Sequence, residues 1–394
     1  MLLELHILQN FAPNNLNRDD TGSPKDCEFG GYRRARVSSQ CFKRAMREVM
    51  KSDSLLQPDD LASRTKRLME TLRDRFTREY SKDLAESEAV ARAAITAAGL
   101  RLEGNDKTQY LLFLGAREID AVAALCLEHW DALKGDIVPA TDLAGGAPPK
   151  GKGRAKTAAP VIDAPVATAF KKVLDGGRAA DLALFGRMIA DLPERNVEGS
   201  CQVAHALSTN AANVEFDFYT AVDDLKPDDT AGADMLGTIE FSSACFYRYL
   251  NLDVDQLAKN LGGDVDLTRR AVEAFMRAAV TAVPTGKQNS MGAQNPPSLV
   301  MAVVRDRGLW SLANAFVKPV PPTGDGGLVV NSIKGLDKHW GALTKMYGEK
   351  QIAGKWVCML DGDDGETSPL TTLAPVVVDG VDDVIGAAMK AVLS

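Results

Sequence analysis

Between Asn17 and Lys51 the chain changes periodicity and charge together, and that change limits what it can fold into. Asn17 to Gly31 is rich in Asn, Asp, Gly and Pro, the composition of a loop. Ser38 and Ser39 then precede Phe42, Ala45, Met46 and Val49, the i, i+3, i+4, i+7 stripe of an amphipathic helix with a hydroxyl placed to cap it. Lys43, Arg44, Arg47 and Lys51 fall together on the opposite face. From Lys25 to Lys51 eight Lys or Arg stand against three acids, although the whole chain carries a formal net charge of −7. A basic helix face is often no more than a solvated face. Here arginines before the cap, the donors Ser38, Ser39 and Gln40 at it and cations after it converge on one helix N-terminus, whose free N–H groups and positive dipole end favour an anion. That convergence favours a phosphate-backbone site.

The rest of the composition narrows the alternatives. At 394 residues, 45% hydrophobic and 25% charged, the chain can bury a large core divided among two or three subdomains. No run is long and apolar enough for a membrane helix, and the first residues lack the charged segment and cleavage site of a leader, so a cytoplasmic protein with no membrane association is expected. Six scattered cysteines without a Cys-x-x-Cys and four isolated histidines give no zinc pattern, so neither metal nor cofactor is expected. Gly30-Gly31 and Gly262-Gly263 lack the lysine or third glycine of a nucleotide-binding loop. Asp19-Asp20 and Asp223-Asp224 are the paired carboxylates with the chemistry to hold Mg²⁺ for phosphodiester cleavage. Turn formation and ion pairing with Arg18 and Lys25 account for the first pair more simply, and a hairpin turn for the second.

Along the chain, Leu3, Leu5 and Ile7 alternate with Glu4 and His6 as a first strand, which makes His6 a strand-face residue. Helical spacing over 61–80, 86–98 and 116–134 describes a helical block. Residues 139–168, rich in Pro, Gly and Lys, cannot bury enough surface to offset their ordering entropy and read as a flexible basic insertion. Helices are expected over 166–174 and 182–192, a strand over 202–210, and a long hairpin from 214–225 and 236–249 around a polar turn. A helix over 268–283 ends at Pro284. The loop after it carries Lys287, Gln288 and Asn289, donors suited to phosphate or base contact and equally ordinary on a surface. A buried strand follows over 299–304, and the chain closes on a helix over 381–393.

Several of these strings resemble a known family. Asn17-Arg-Asp-Asp20, Phe29-Gly-Gly31, Arg34-Ala-Arg-Val-Ser-Ser-Gln40 and Lys43-Arg-Ala-Met-Arg47 are similar to the N-terminal signature of the type I-E CRISPR Cascade backbone subunit, the CasC branch of the Cas-seven family. Thr220-Ala-Val-Asp-Asp224 and Glu240-Phe-Ser-Ser243 are similar to it as well. The resemblance implies an α+β fold: a modified RRM-like (ferredoxin-like) palm from 1–56, 199–212 and 243–394, an inserted helical finger subdomain over 57–198, and a β-hairpin thumb over 213–242. It implies a non-catalytic subunit that binds CRISPR RNA, lines up with further copies of itself and other Cascade subunits, and kinks the guide at regular intervals for pairing with target DNA. By motif, Arg18, Lys25, Ser38, Ser39, Gln40, Lys43, Arg44 and Arg47 would hold the RNA backbone. Met188 and the Tyr219-Thr220 pair would wedge at the kink; Lys287, from the loop after the 268–283 helix, is a further RNA-binding candidate. On periodicity alone Met188 is core filler between Phe185 and Leu192, and Tyr219 is a hairpin aromatic. Where the family often has Phe, Tyr219 adds a hydroxyl. A metal-dependent RNA endonuclease, as in related type III subunits, and a pure protein scaffold are the alternatives.

Overall fold

The computed structural model describes residues 1–135, 163–221, 235–322, 327–360 and 368–393. The expected turn over 226–234, Asp223-Asp224 and most of the insertion expected over 139–168 lie outside them. In chain order the strands are β1 (Leu2–Asn14), β2 (Asp26–Phe29), β3 (Tyr32–Val37), β4 (Ala62–Thr65), β5 (Leu112–Gly115), β6 (Cys201–Val203), β7 (Ala206–Ser208), β8 (Val214–Ala221), β9 (Met235–Asp253), β10 (Leu299–Arg305) and β11 (Ile352–Met359). The helices are α1 (Ser39–Ser52), α2 (Leu68–Glu79), α3 (Leu84–Ala97), α4 (Ala116–Glu128), α5 (Trp130–Lys134), α6 (Ala164–Lys172), α7 (Ala180–Phe185), α8 (Val254–Asn260), α9 (Val265–Thr281), α10 (Gln288–Met291), α11 (Gly327–Tyr347) and α12 (Val381–Val392). They fall into two compact units, one of Met1–Leu56, Ser200–Ala258 and Asp264–Ser394, the other of Gln57–Gly199 with Lys259–Gly263.

The first unit is built on an antiparallel sheet in the order β11-β10-β1-β9-β7-β3-β2, with β6 and β8 also paired to β9. Its centre is β1, whose alternation sends Leu8 to one face and Phe11 to the other. On the first face Tyr247, Met301 and Val303 pack against Ile333, Leu336 and Trp340 of α11. On the other, Phe11, Val37 and Phe246 pack against Phe42 of α1. Arg248 is buried on that same face, stacked 4.1 Å from the Phe42 ring and donating to Gln9 Oε1 and the Ala279 carbonyl, both at 2.6 Å. Burial lowers its guanidinium to about 9. It ties α1 and α9 to the sheet.

β9 changes partners along its length. Its inner part, Ser242 to Asp253, pairs with β1 on one edge and with β6 and β7 on the other, and its outer part, Met235 to Phe241, pairs with β8 alone among the described strands. Phe216, Phe218 and Leu236 stand exposed on that hairpin. A polar network lies inside the other end of the sheet. Glu4 accepts from Tyr249 Oη at 2.8 Å, from the Trp310 amide at 2.6 Å and from the Arg305 guanidinium. Burial raises the Glu4 carboxyl in spite of Arg305.

The second unit buries Leu68, Leu72, Phe76, Val90, Ile95, Leu114, Trp130 and Phe170 in one cluster of helices. Two expectations fail here for local reasons. The helix expected from residue 61 begins only at Leu68, because Ala62–Thr65 pairs with β5 as a strand. The helix expected over 182–192 stops at Phe185, where Gly186 takes φ 79 and Arg187 pairs with Val197 instead. In the first unit, the strand expected over 202–210 is broken between β6 and β7 at Ala204 and His205. α6 begins at Ala164, inside the stretch read as insertion.

Candidate nucleic-acid interface

The N-terminus of α1 is open. Ser38 sits at the cap position in extended backbone, yet its hydroxyl makes no cap bond, so the capping read from sequence is corrected. Ser38 is 4% exposed, and its amide donates to Asn17 Oδ1 at 2.8 Å. Of the Ser-Ser-Gln triplet, only Ser39 and Gln40 therefore reach solvent. The first-turn donors are partly spoken for: Cys41 and Phe42 amides turn back to the Ser38 carbonyl, and the Ser39 amide donates to His205 Nδ1 at 3.2 Å. The Gln40 amide keeps no acceptor among the described residues, which leaves it pointed with the helix dipole at whatever anion arrives.

Cations gather around that end. Arg36 Nη1 lies 3.1 Å from His205 Nδ1, and the Arg36 amide donates to the Lys25 carbonyl at 2.9 Å. Partial burial, with Arg36 and Lys25 beside it, lowers the His205 imidazole below its ordinary value. A neutral ring that accepts at Nδ1 carries its proton on Nε2, which makes it a further donor rather than a charge. Lys25 and Arg44 stand close enough to Cys41 to pull against the rise that burial gives its thiol. Arg44 is exposed, while Lys43 and Arg47 are half-buried, with Lys43 near Cys201.

Arg18 and Lys287 join the same neighbourhood through Leu16. Cys41 Sγ approaches the Leu16 carbonyl on one side, and Gly286 abuts the Leu16 and Asn15 carbonyls on the other, where a Cβ would collide. Leu16 to Gly22 and Gly286 line a cleft of about 520 Å³ that includes Arg18. Lys287 follows in left-handed backbone, φ 53. Asp19 in this loop is a turn residue: its Oδ1 accepts from the Thr21 amide and hydroxyl and from the Ser23 amide at 2.8–3.0 Å. Those bonds, led by the Thr21 hydroxyl, lower its carboxyl. Among the described residues no three His, Cys, Asp or Glu side chains are grouped to hold a metal.

The other candidates sit elsewhere. Met188 belongs to the second unit and is 78% exposed, which overturns its reading as core filler. Its neighbours are clamped. Arg187 is buried, donating from Nη1 to both Glu118 oxygens at 2.7 and 2.9 Å and from Nη2 to the Leu174 and Arg195 carbonyls. On the other side, the Ile189 amide donates to Asn196 Oδ1 at 2.7 Å. Tyr219 and Thr220 lie on β8, where alternation sends them to opposite faces, and the Tyr219 ring crosses Gly237. One member of that pair at a time can face a given ligand.

Sequence reasoning missed His205 as a member of the cluster and counted Arg36 only as one of the arginines of the basic island. It also counted Arg34 in the basic island, whereas Arg34 is fully buried and donates to the Ser208, Thr209 and Phe316 carbonyls. Its charge ties separate segments of the first unit together. Nothing near His205 in sequence points to α1; β7 pairing with β3 brings it there.

Fold and site define a mixed α/β protein, built on an antiparallel sheet, with an anion-receptive helix end ringed by cations. The family model of CT1975-like proteins matches residues 3–377, and the chain belongs to that family. Among solved structures, a chain of a CRISPR RNA-guided surveillance complex in a pre-nicking state is 30% identical, with TM-score 0.80 over 98% of this chain and 100% of that one. A chain of another CRISPR RNA-guided surveillance complex is 26% identical, with TM-score 0.72 over 99% and 100%. No curated protein matches in sequence.

Proposed function

We propose that this chain is a non-catalytic, cytoplasmic backbone subunit of a type I-E Cascade complex, binding CRISPR RNA along the open end of α1. The similarity to surveillance-complex chains over essentially the full length of both partners carries the reading. The cluster of Arg18, Lys25, Ser39, Gln40, Arg44 and Lys287, joined by Arg36 and His205, supplies its chemistry. Phosphate contact without base contact gives affinity without sequence preference, which a protein coating variable guides requires. The sheet of the first unit would serve as an RRM-like palm, the second unit as the finger, and the β8–β9 hairpin as the thumb. Copies would line up along the guide, with Met188 and one face of the Tyr219-Thr220 strand kinking it and leaving its bases free to pair with target DNA beside other Cascade subunits.

The test is binding to labelled CRISPR RNA across a salt series. Each phosphate neutralised on a single strand contributes roughly 0.7 to the salt slope, so Lys25→Ala/Arg44→Ala should weaken binding and lower that slope by about 1.4. Complexes should grow stepwise with added protein while the RNA stays intact with Mg²⁺. Mg²⁺-dependent cleavage would instead make the chain a metal-dependent endonuclease. RNA that never binds would sink both readings.

A further inference from the structure

The cations of α11 form a second basic surface, on the face of the sheet opposite α1. Lys334, Lys338 and Lys345 recur at i, i+4 and i+11 and are all exposed, on the flank of the stripe that buries Ile333, Leu336, Asp337 and Trp340. They line a groove of about 760 Å³ whose other wall is Ser368, Thr371 and Thr372. At a rise of about 1.5 Å per residue the three ammonium groups span roughly 16 Å along the helix.

The groove is held open by a specific anchor. Asp337 is 2% exposed and accepts from the Thr371 amide and hydroxyl, the Thr372 amide and the Leu373 amide at 2.7–3.1 Å. Its charge is thus spent on the wall rather than on the lysines. At Gly341 a Cβ would stand 2.8 Å from Thr372 Oγ1, so the close approach of the wall needs a glycine there. None of the three lysines makes an ion pair among the described residues, and Lys334 faces Lys338 at i, i+4, a like-charge pair that costs helix stability. Glu349, beyond the C-terminus of α11, pairs with Lys355.

We propose that this groove binds the phosphodiester backbone of a nucleic-acid strand, separate from any strand held at α1. Three ammonium groups along one edge, with the Ser368 and Thr372 hydroxyls along the other, suit a linear chain of phosphates and read no base. Because α1 and α11 lie on opposite faces of the sheet, one strand segment cannot occupy both, and the inference stands without the α1 reading.

The test combines titration with lysine footprinting on the full chain. Labelled short single-stranded DNA and duplex DNA are titrated separately, and lysine acetylation is mapped by mass spectrometry with and without each. Lys334, Lys338 and Lys345 should be protected by one of the two, which identifies the form bound. Lys334→Ala/Lys338→Ala/Lys345→Ala should weaken that binding about tenfold and lower its salt slope by about 2. The triple arginine variant should restore both. All three sites are exposed, so an unchanged melting temperature shows that the alanine variant folds. Unprotected α11 lysines with an unchanged salt slope overturn the proposal. So does an alanine variant that keeps its nucleic-acid binding and loses binding to a poly-glutamate peptide, which assigns the groove to an acidic protein. Protection of Lys25 and Lys43 is read in the same spectra, so failure at α1 and failure at α11 are told apart.

Discussion

Replacing Glu118 by Ala should unfold the second unit ahead of the first. The carboxylate is buried and accepts from Arg187 Nη1, the Gly115 amide and the Gly176 amide, the last two at 2.8 and 2.7 Å. Its removal leaves the buried guanidinium without its counter-charge and two amides without their acceptor. Losing one partner of a buried pair costs about 3–5 kcal/mol. With a urea slope of about 2 kcal/mol per molar, the midpoint should drop by roughly 2 M. The chain has four tryptophans, and Trp130 alone lies in the second unit, packed edge-on against Phe76 and bonded to Glu86. Fluorine NMR of 5-fluorotryptophan protein therefore reports each unit separately. The Trp130 resonance should lose its native position early while the other three hold theirs. A shift below about 0.5 M, or all four moving together, would refute the account of Glu118 as the clamp beneath Met188.

Other outcomes follow from single contacts. His6 is fully buried, its Nδ1 2.8 Å from Tyr247 Oη, which also accepts the Leu312 amide. Burial first and Arg305 second lower the imidazole to about 3, so the unfolded chain binds the extra proton between there and about 6.5. Stability contributed by neutral His6 should be complete above pH 6.5 and fall on acidification, by about 3 kcal/mol at pH 4.5. The raised Glu4 carboxyl acts in the opposite sense, so the wild-type curve must be compared with His6→Gln, which should flatten that slope in urea titrations; an unchanged slope would clear His6. Gly286→Ala should displace the Arg18 loop, costing about 1–3 kcal/mol and weakening RNA binding, which calorimetry and titration would show. Met188→Ala should leave stability within about 0.5 kcal/mol while changing the RNA path seen by chemical probing.

The strongly periodic segments were legible because a single partner dictates them. The apolar stripe of α1 meets one sheet face, and β1 and β10 are buried on both sides. Short segments whose conformation depends on remote partners were not. Ala62–Thr65 is a strand because Leu112–Gly115 pairs with it, and Arg187 leaves the helix because Glu118 and three carbonyls draw it inward. The candidate site shows the same division. Lys25, Gln40 and Arg44 were found from local charge and capping pattern, whereas His205 is distant in sequence. Arg34 and Arg36 are separated in role by burial, which charge counting cannot see.

β9 carries one further consequence, for how this chain can change in length. A single strand runs unbroken from the sheet interior into the hairpin, so the two share one alternation of side chains. Adding one residue to each arm of the hairpin near Ser242 would turn the Phe216 and Phe218 surface over relative to everything rooted in the sheet. Adding two to each arm would only move it outward, by about 7 Å. Hairpins of this construction should therefore lengthen and shorten in steps of two residues per arm, and odd steps should need a bulge to absorb them.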